Sequence, residues 1–456
     1  MVAAWLQDCD ADRFVISLDM LCYGGLVASR SAVATAEEAT ARLETLRSLK
    51  KRRPDITLLA FNVITRLGTT VSSSADLDLH EQLRTYSQLV DRVERLGEEE
   101  LRPQLESVVA SLDSTALSTY LAVRRRNHAI NRAAIQLAAE GVVDYLVLAQ
   151  EDAAPVGIHL PEQFALRDQA EEYRVVDKVA TYPGADEVGL VLMARQCALA
   201  AGTSPRIAVD YAAEASANVI PQFEHQPLRE TVESQIRASG AHLTAPGEAE
   251  AMLFVHTPVG NQVDASDAPP AGQAPTLARQ AESVLERVRA AGEAGYVAGL
   301  ADVAYCNGAD PELIAGLKRT GAARHLAAYA GWNTSSNTIG TAVSQLCLHV
   351  LGSAGAEAAA GSDSSHVLAA RLLDDYGYQS CLRAKAVARA ESTGADPHAL
   401  GNDWQDSEDY ISQQLQPLAH FIYSDLLAER EPPPLEGLSV SLPWRRLFEV
   451  ELELNP

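Results

Sequence analysis

Two adjacent acids, Glu151 and Asp152, follow the apolar run YLVLA and precede a short stretch, PVGIH, that ends at His159. Carboxyls held side by side repel, so one is expected to keep its proton near neutral pH while the other ionises, which is the division of labour that acid catalysis needs. The plainer reading makes Asp152 the cap of a turn before Pro155 and leaves Glu151 facing solvent. A second run, GWNTSSNT at 331–338, sets Trp332 beside Asn333 and Asn337. An aromatic face with amides at its edge suits a sugar ring, whose C–H face stacks on the indole while amides hold its hydroxyls. The plainer alternative has Trp332 covering the mouth of a barrel while Asn337 caps a helix that begins at Thr338.

These residues need elements to place them. Short apolar runs at Phe14–Leu18, Ile56–Phe61, Tyr145–Ala149, Ile207–Val209, Met252–Val255, Val297–Ala301 and Leu326–Ala330 alternate with longer amphipathic stretches, among them Ala36–Lys50, Ala116–Ala139 and Leu277–Ala291. Strands separated by helices predict βαβ units and a parallel sheet, whose functional loops follow the carboxyl ends of the strands. Polar residues follow all seven runs: Asp19, Tyr23 and Arg30; Asn62 and Arg66; Glu151 and Asp152; Asp210; His256; Asp302, Asn307 and Asp310; Trp332, Asn333 and Asn337. They are expected to line one carboxylate-rich pocket.

Seven units are one short of a TIM-like (β/α)8 barrel, so a strand and helix upstream of Met1 would complete it and the chain is expected to begin late. An open doubly wound sheet is the alternative. The barrel-like catalytic domain is expected to span 1–355, with a helical insert near 98–135 and a flexible loop, NQVDASDAPPAGQAP, at 261–275. Within the insert, Arg124, Arg125 and Arg126 are read as a solvated helix face. Residues 356–456 are expected to form a mostly helical region packed on that domain, ending in a strand-like run, Phe448–Leu454.

The totals narrow the function. Apolar residues make up 47% and charged ones 21%, a globular profile, and 61 acids against 37 bases leave a net charge of −24. Nucleic acid and anionic membranes are therefore not expected as partners. The six cysteines lack metal-knuckle spacing, no run approaches the ~20 apolar residues of a membrane span, and no export signal opens the chain, so a cytoplasmic protein is expected. His159, His256, Asp19, Asp302 and Asp310 could ligate a metal, but no histidine pair has strong ligand spacing. No phosphate-loop, dinucleotide or G-x-S-x-G motif is present, and no cofactor is expected.

Six ordered motifs, SLDMLCYGGLVASR, LAQEDAAPVGIH, YPGADEVGLVLMAR, LADVAYCNGAD, YAGWNTSSNTIGTA and PWRRLFEVELE, resemble a bacterial family catalogued as domain of unknown function 4127. The resemblance runs nearly the length of the chain. Members of that family usually open with an earlier strand and an Asp-Arg-Pro-type motif, which is missing here. The family implies no reaction. At the level of pattern alone, acids after a barrel strand with a Trp–Asn loop near the last strand look like O-GlcNAcase and hexosaminidase-type glycosidases. That likeness implies a glycoside hydrolase in which Glu151 and Asp152 serve the substrate's acetamido group and the leaving oxygen, acting on a small-molecule or oligosaccharide substrate. A metal-dependent hydrolase or lyase, using Asp19, His256 and Asp302, and a non-catalytic carbohydrate-binding protein are the alternatives.

Overall fold

In the computed structural model, residues 2–267, 269, 272–355, 360–430 and 435–455 are described. The chain is α/β and divides into two units, one of residues 1–71, 75–196 and 223–226, the other of 72–74, 197–222 and 227–456.

The first unit is built on β1 (Arg13–Ser17), β2 (Thr57–Ile64), β3 (Tyr145–Gln150) and β4 (Val179–Pro183), parallel and in sequential order. Each crossover carries a helix, as parallel pairing requires. Ala36–Arg52 begins with a full capping box: the Glu38 N–H donates to Thr35 Oγ1 at 3.2 Å and the Thr35 N–H to Glu38 Oε2 at 2.9 Å. Its Leu43, Leu46 and Leu49 pack with Phe14, Ile16 and Leu58, and with Ile130 and Ala134 of the helix Ser114–Ala139.

The seven expected strands omit β4. Among the described residues it pairs only with β3, and its first three residues are half-buried, so VATYP never becomes the continuous apolar run by which a buried strand is recognised. With β4 present the strand count offers no argument for a unit upstream of Met1. Two strands also run further than their apolar cores: Asn62 lies within β2 and Asp210 within the strand Arg206–Tyr211, not in the loops that follow.

The second unit has the order β6-β5-β7-β8-β9, all parallel: β5 (Arg206–Tyr211), the two-residue β6 (His242–Leu243), β7 (Ala251–His256), β8 (Val297–Asp302) and β9 (Leu326–Ala330). Phe254, Leu300 and Tyr329 of the sheet share a core with Leu285 and Leu313. Leu368, Leu372, Leu415 and Leu454, from the helical C-terminal stretch and its antiparallel hairpin β10 (Gly437–Ser441) and β11 (Glu451–Asn455), belong to the same core. Of the loop 261–275, residues 268, 270 and 271 lie outside the described residues, as do 356–359 beside the expected boundary at 355. No described helix is long and apolar enough to cross a membrane.

Candidate active site

The expected site residues fall into two groups, one in each unit. In the first, Asp19 opens the helix Leu18–Tyr23 directly after β1, and Ser17 caps that helix by accepting from the Met20 N–H at 3.1 Å. Asp19 is 3% exposed, and its Oδ2 accepts the Val63 N–H at 3.0 Å. Burial pushes its carboxyl up to about 7, against the Val63 hydrogen bond, and the charge of Glu151 pushes the same way.

Glu151 is buried and does not face solvent. Arg30 grips it with two guanidinium nitrogens, Nε donating to Oε2 at 3.3 Å and Nη2 to Oε1, while Arg30 Nη1 reaches Thr70 Oγ1 at 3.3 Å. Arg66 Nε stands 4.0 Å from Glu151 Oε1, and Arg66 Nη2 pairs with Asp152. Asp152 sits in left-handed backbone at φ 32°, an uncommon conformation for a residue with a Cβ. The adjacent acids thus diverge, each toward a guanidinium, and this relieves the repulsion expected between them. A raised carboxyl stands after β1, at Asp19.

Arg124 and Arg126 are buried, so they are not a solvated face; only Arg125 of the three is exposed. Arg124 Nη1 donates to the Thr65 and Arg66 carbonyls at 2.9 and 2.6 Å and Nη2 pairs with Glu162 at 2.6 Å. Arg126 donates to the carbonyls of Ser29, Ser31 and Ala34 and lies 4.3 Å from the Tyr23 ring centroid. Loop carbonyls that no strand satisfies need such donors, so the two arginines fix the loops that carry Arg30 and Arg66. Tyr23 itself is packed in the core, and Asn62 is fully buried, donating to Asn131 Oδ1 at 2.6 Å. His159 is also buried, its ring 5.7 Å from that of His225, and burial holds its pKa well below the usual imidazole range.

The second unit holds a different arrangement. His256 and Asp302, the last residues of β7 and β8, are register partners. Asp310 Oδ2 meets His256 Nε2 at 2.8 Å, and Asp310 Oδ1 caps the helix Pro311–Thr320 by accepting from the Glu312 N–H at 2.9 Å. The Asp310 N–H donates to Asp302 Oδ2 at 2.7 Å. Burial pushes Asp302 up to about 7. Burial opposes the charged form of His256, yet its bond to Asp310 and the charge of Asp302 outweigh that and raise its pKa. Asn307 and Asn333 are both in left-handed backbone, at φ 56° and 52°, and the Asn307 N–H donates to the Asn333 carbonyl at 2.8 Å.

Trp332 is half-buried, and its Nε1 donates to Thr341 Oγ1 at 3.1 Å. Asn337 lies inside the helix Ser335–Gly355, which starts earlier than expected, so it is not that helix's cap. Asp210 pairs with Arg287 of the helix Ala274–Glu293. Sequence reasoning misses Arg371 and Asp375. Arg371 lies 5.1 Å from the Trp332 ring centroid, and Asp375 accepts the Gly331 N–H at 2.7 Å. Their i, i+4 spacing is the only trace of this pair in the sequence. Among the described residues no three His, Cys, Asp or Glu side chains gather as metal ligands.

The model of the family described as "Protein of unknown function (DUF4127)" matches residues 1–453. No curated protein matches the chain, and no solved structure does.

Proposed function

Because the chain belongs to the DUF4127 family, whose description carries no reaction, we propose from its own geometry that it is a glycoside hydrolase-like enzyme in which Asp19 supplies a proton and Glu151, held by Arg30, is its partner. The observation that carries this reading is the contrast between the two carboxyls. One is sealed from water and pushed up to about 7; the other is gripped by Arg30 with Arg66 alongside. Glycosidic cleavage needs that inequality, an acid to protonate the leaving oxygen and a carboxylate to stabilise or attack the cationic sugar carbon. Asp152, first expected to share the chemistry, becomes in this reading the group that sets the Arg66 guanidinium. Considered within its own unit, the aromatic–amide run 331–338 is a separate reason to try carbohydrates, N-acetylhexosaminides first.

The barrel belongs to the same reading. It is supported by the number of longer parallel strands among the described residues, eight, four in the sheet of each unit. A screen of chromogenic glycosides, run with and without added divalent metal, tests the function. Metal-independent release of the chromophore is expected. Turnover only with metal would move the assignment to the metal-dependent alternative, and sugar binding without turnover would move it to a carbohydrate-binding protein.

A further inference from the structure

The stretch after residue 360 reaches back to the strand ends of its own unit. The helix Ala360–Leu372 continues into a wider π-helical turn, Leu373–Ser380, an irregularity common at functional positions. From this segment Arg371 extends its guanidinium to the Trp332 ring, 5.1 Å from the centroid, and pairs with Asp374 at 3.3 Å and with Asp375. Asp375, fully buried, receives the Gly331 N–H on Oδ2 at 2.7 Å, while its backbone carbonyl receives the Ala309 N–H at 3.0 Å. Ser380 Oγ donates to the Ala309 carbonyl at 2.8 Å. Two loops, after β8 and after β9, are therefore tied to a single turn of helix. Gly331 has no room for a side chain, since a Cβ there would lie 2.7 Å from the Tyr329 hydroxyl.

Burying a carboxyl is costly unless it is bonded, and one guanidinium and one loop N–H offset part of that cost for Asp375. A hydrogen bond to Gly331 fixes the backbone immediately before Trp332, and the guanidinium fixes the plane of the indole from one side. We propose that Arg371 and Asp375 are positioning residues that pre-set the Trp332 ring to receive the C–H face of a sugar. The proposal rests on the carbohydrate reading above, and it gives the C-terminal helical stretch a part in recognition beyond packing.

Fluorine NMR of the full chain labelled with fluorotryptophan reports each of the four tryptophans separately, and Trp332→Phe identifies the resonance that matters. In the sugar-free protein, Arg371→Met and Asp375→Ala are expected to move and broaden the Trp332 resonance while the other three stay in place. Asp375→Asn, which keeps an oxygen for the Gly331 N–H, is expected to move it less. A role in general stability predicts instead that Asp375→Asn disturbs all four resonances as much as Asp375→Ala does. Arg371 is partly exposed, so Arg371→Met gives an answer even where Asp375→Ala does not fold. A Trp332 resonance unchanged in both Arg371→Met and Asp375→Asn would overturn the positioning role. Titration with N-acetylglucosamine separates the two ideas: a Trp332 resonance that responds to the variants but never to sugar keeps the positioning and overturns the sugar-facing purpose assigned to it.

Discussion

Asp19 is the side chain whose surroundings differ most from those expected of a residue at the start of a helix. An acid in the first turn is ordinarily a solvated partner of the helix dipole; here it is buried against the end of β2, where it accepts the Val63 N–H, and is raised from 3.8 to about 7. A carboxyl whose folded pKa is raised holds its proton in the folded state. Its contribution to stability is therefore complete below the unfolded value and is lost as pH rises through about 7. Urea midpoints should fall between pH 4 and 7, and Asp19→Asn, which cannot ionise, should show a shallower fall over that window. Asp302 and Asp375 are raised by burial in the same sense, so a slope remains; identical slopes in native protein and variant would contradict the assignment to Asp19. Arg30 makes a second case. Its two-nitrogen grip on Glu151 cannot be copied by an ammonium, so Arg30→Lys should lower turnover of a glycoside by roughly 10-fold or more despite the retained charge. Activity equal to that of the native protein would show that the grip is not used.

The elements were legible in proportion to how buried they are. β3 and β8 are covered almost throughout and announce themselves as YLVLA and VAGLA, whereas β4, half-buried and paired on one side, has no such run. Strand ends were found because acids and amides there stand out against apolar neighbours; Asn62 and Asp210 were misplaced because a polar residue inside a strand reads as the strand's end. A run of three arginines on a helix reads as a solvated face because charge on a helix usually is solvated, yet Arg124 and Arg126 are buried. What buries them is a set of loop carbonyls distant in sequence, which no local pattern records. Asp375 escaped for the same reason, its partner being the backbone N–H of a residue 44 positions away. One glycine tests how tightly the β9 loop is held. Gly331→Ala would set a Cβ 3.3 Å from both Ala309 Cα and Asp302 Cβ, as well as against the Tyr329 hydroxyl, and should cost about 1–3 kcal/mol in chemical denaturation. A change within about 0.5 kcal/mol would mean that the loop can give way.

Taken whole, the chain carries a core in each unit, and the second extends through its final hairpin. Leu415, fully buried in the helix Trp404–Phe421, packs into the core that supports β9. Leu415→Ala should accordingly destabilise the second unit by about 2–5 kcal/mol, and hydrogen exchange at the β9 amides should quicken with it. Exchange confined to the mutated helix would make the C-terminal stretch a separate body. The net charge of −24 spreads over a molecule whose best-placed arginines, Arg30, Arg66 and Arg371, already face carboxylates, so its proposed chemistry turns on how acids are paired, not on a basic surface. The most direct test of that chemistry compares two aryl glycosides of the same sugar, one with a phenol leaving group and one with dinitrophenol, which departs without protonation. Asp19→Asn should lose about 10²-fold or more in kcat/KM on the phenyl glycoside and far less on the dinitrophenyl one, while Glu151→Gln should fail on both. Equal losses on the two substrates in Asp19→Asn, or no turnover of either by the native protein, would contradict the assignment of Asp19 as the acid of a glycoside hydrolase.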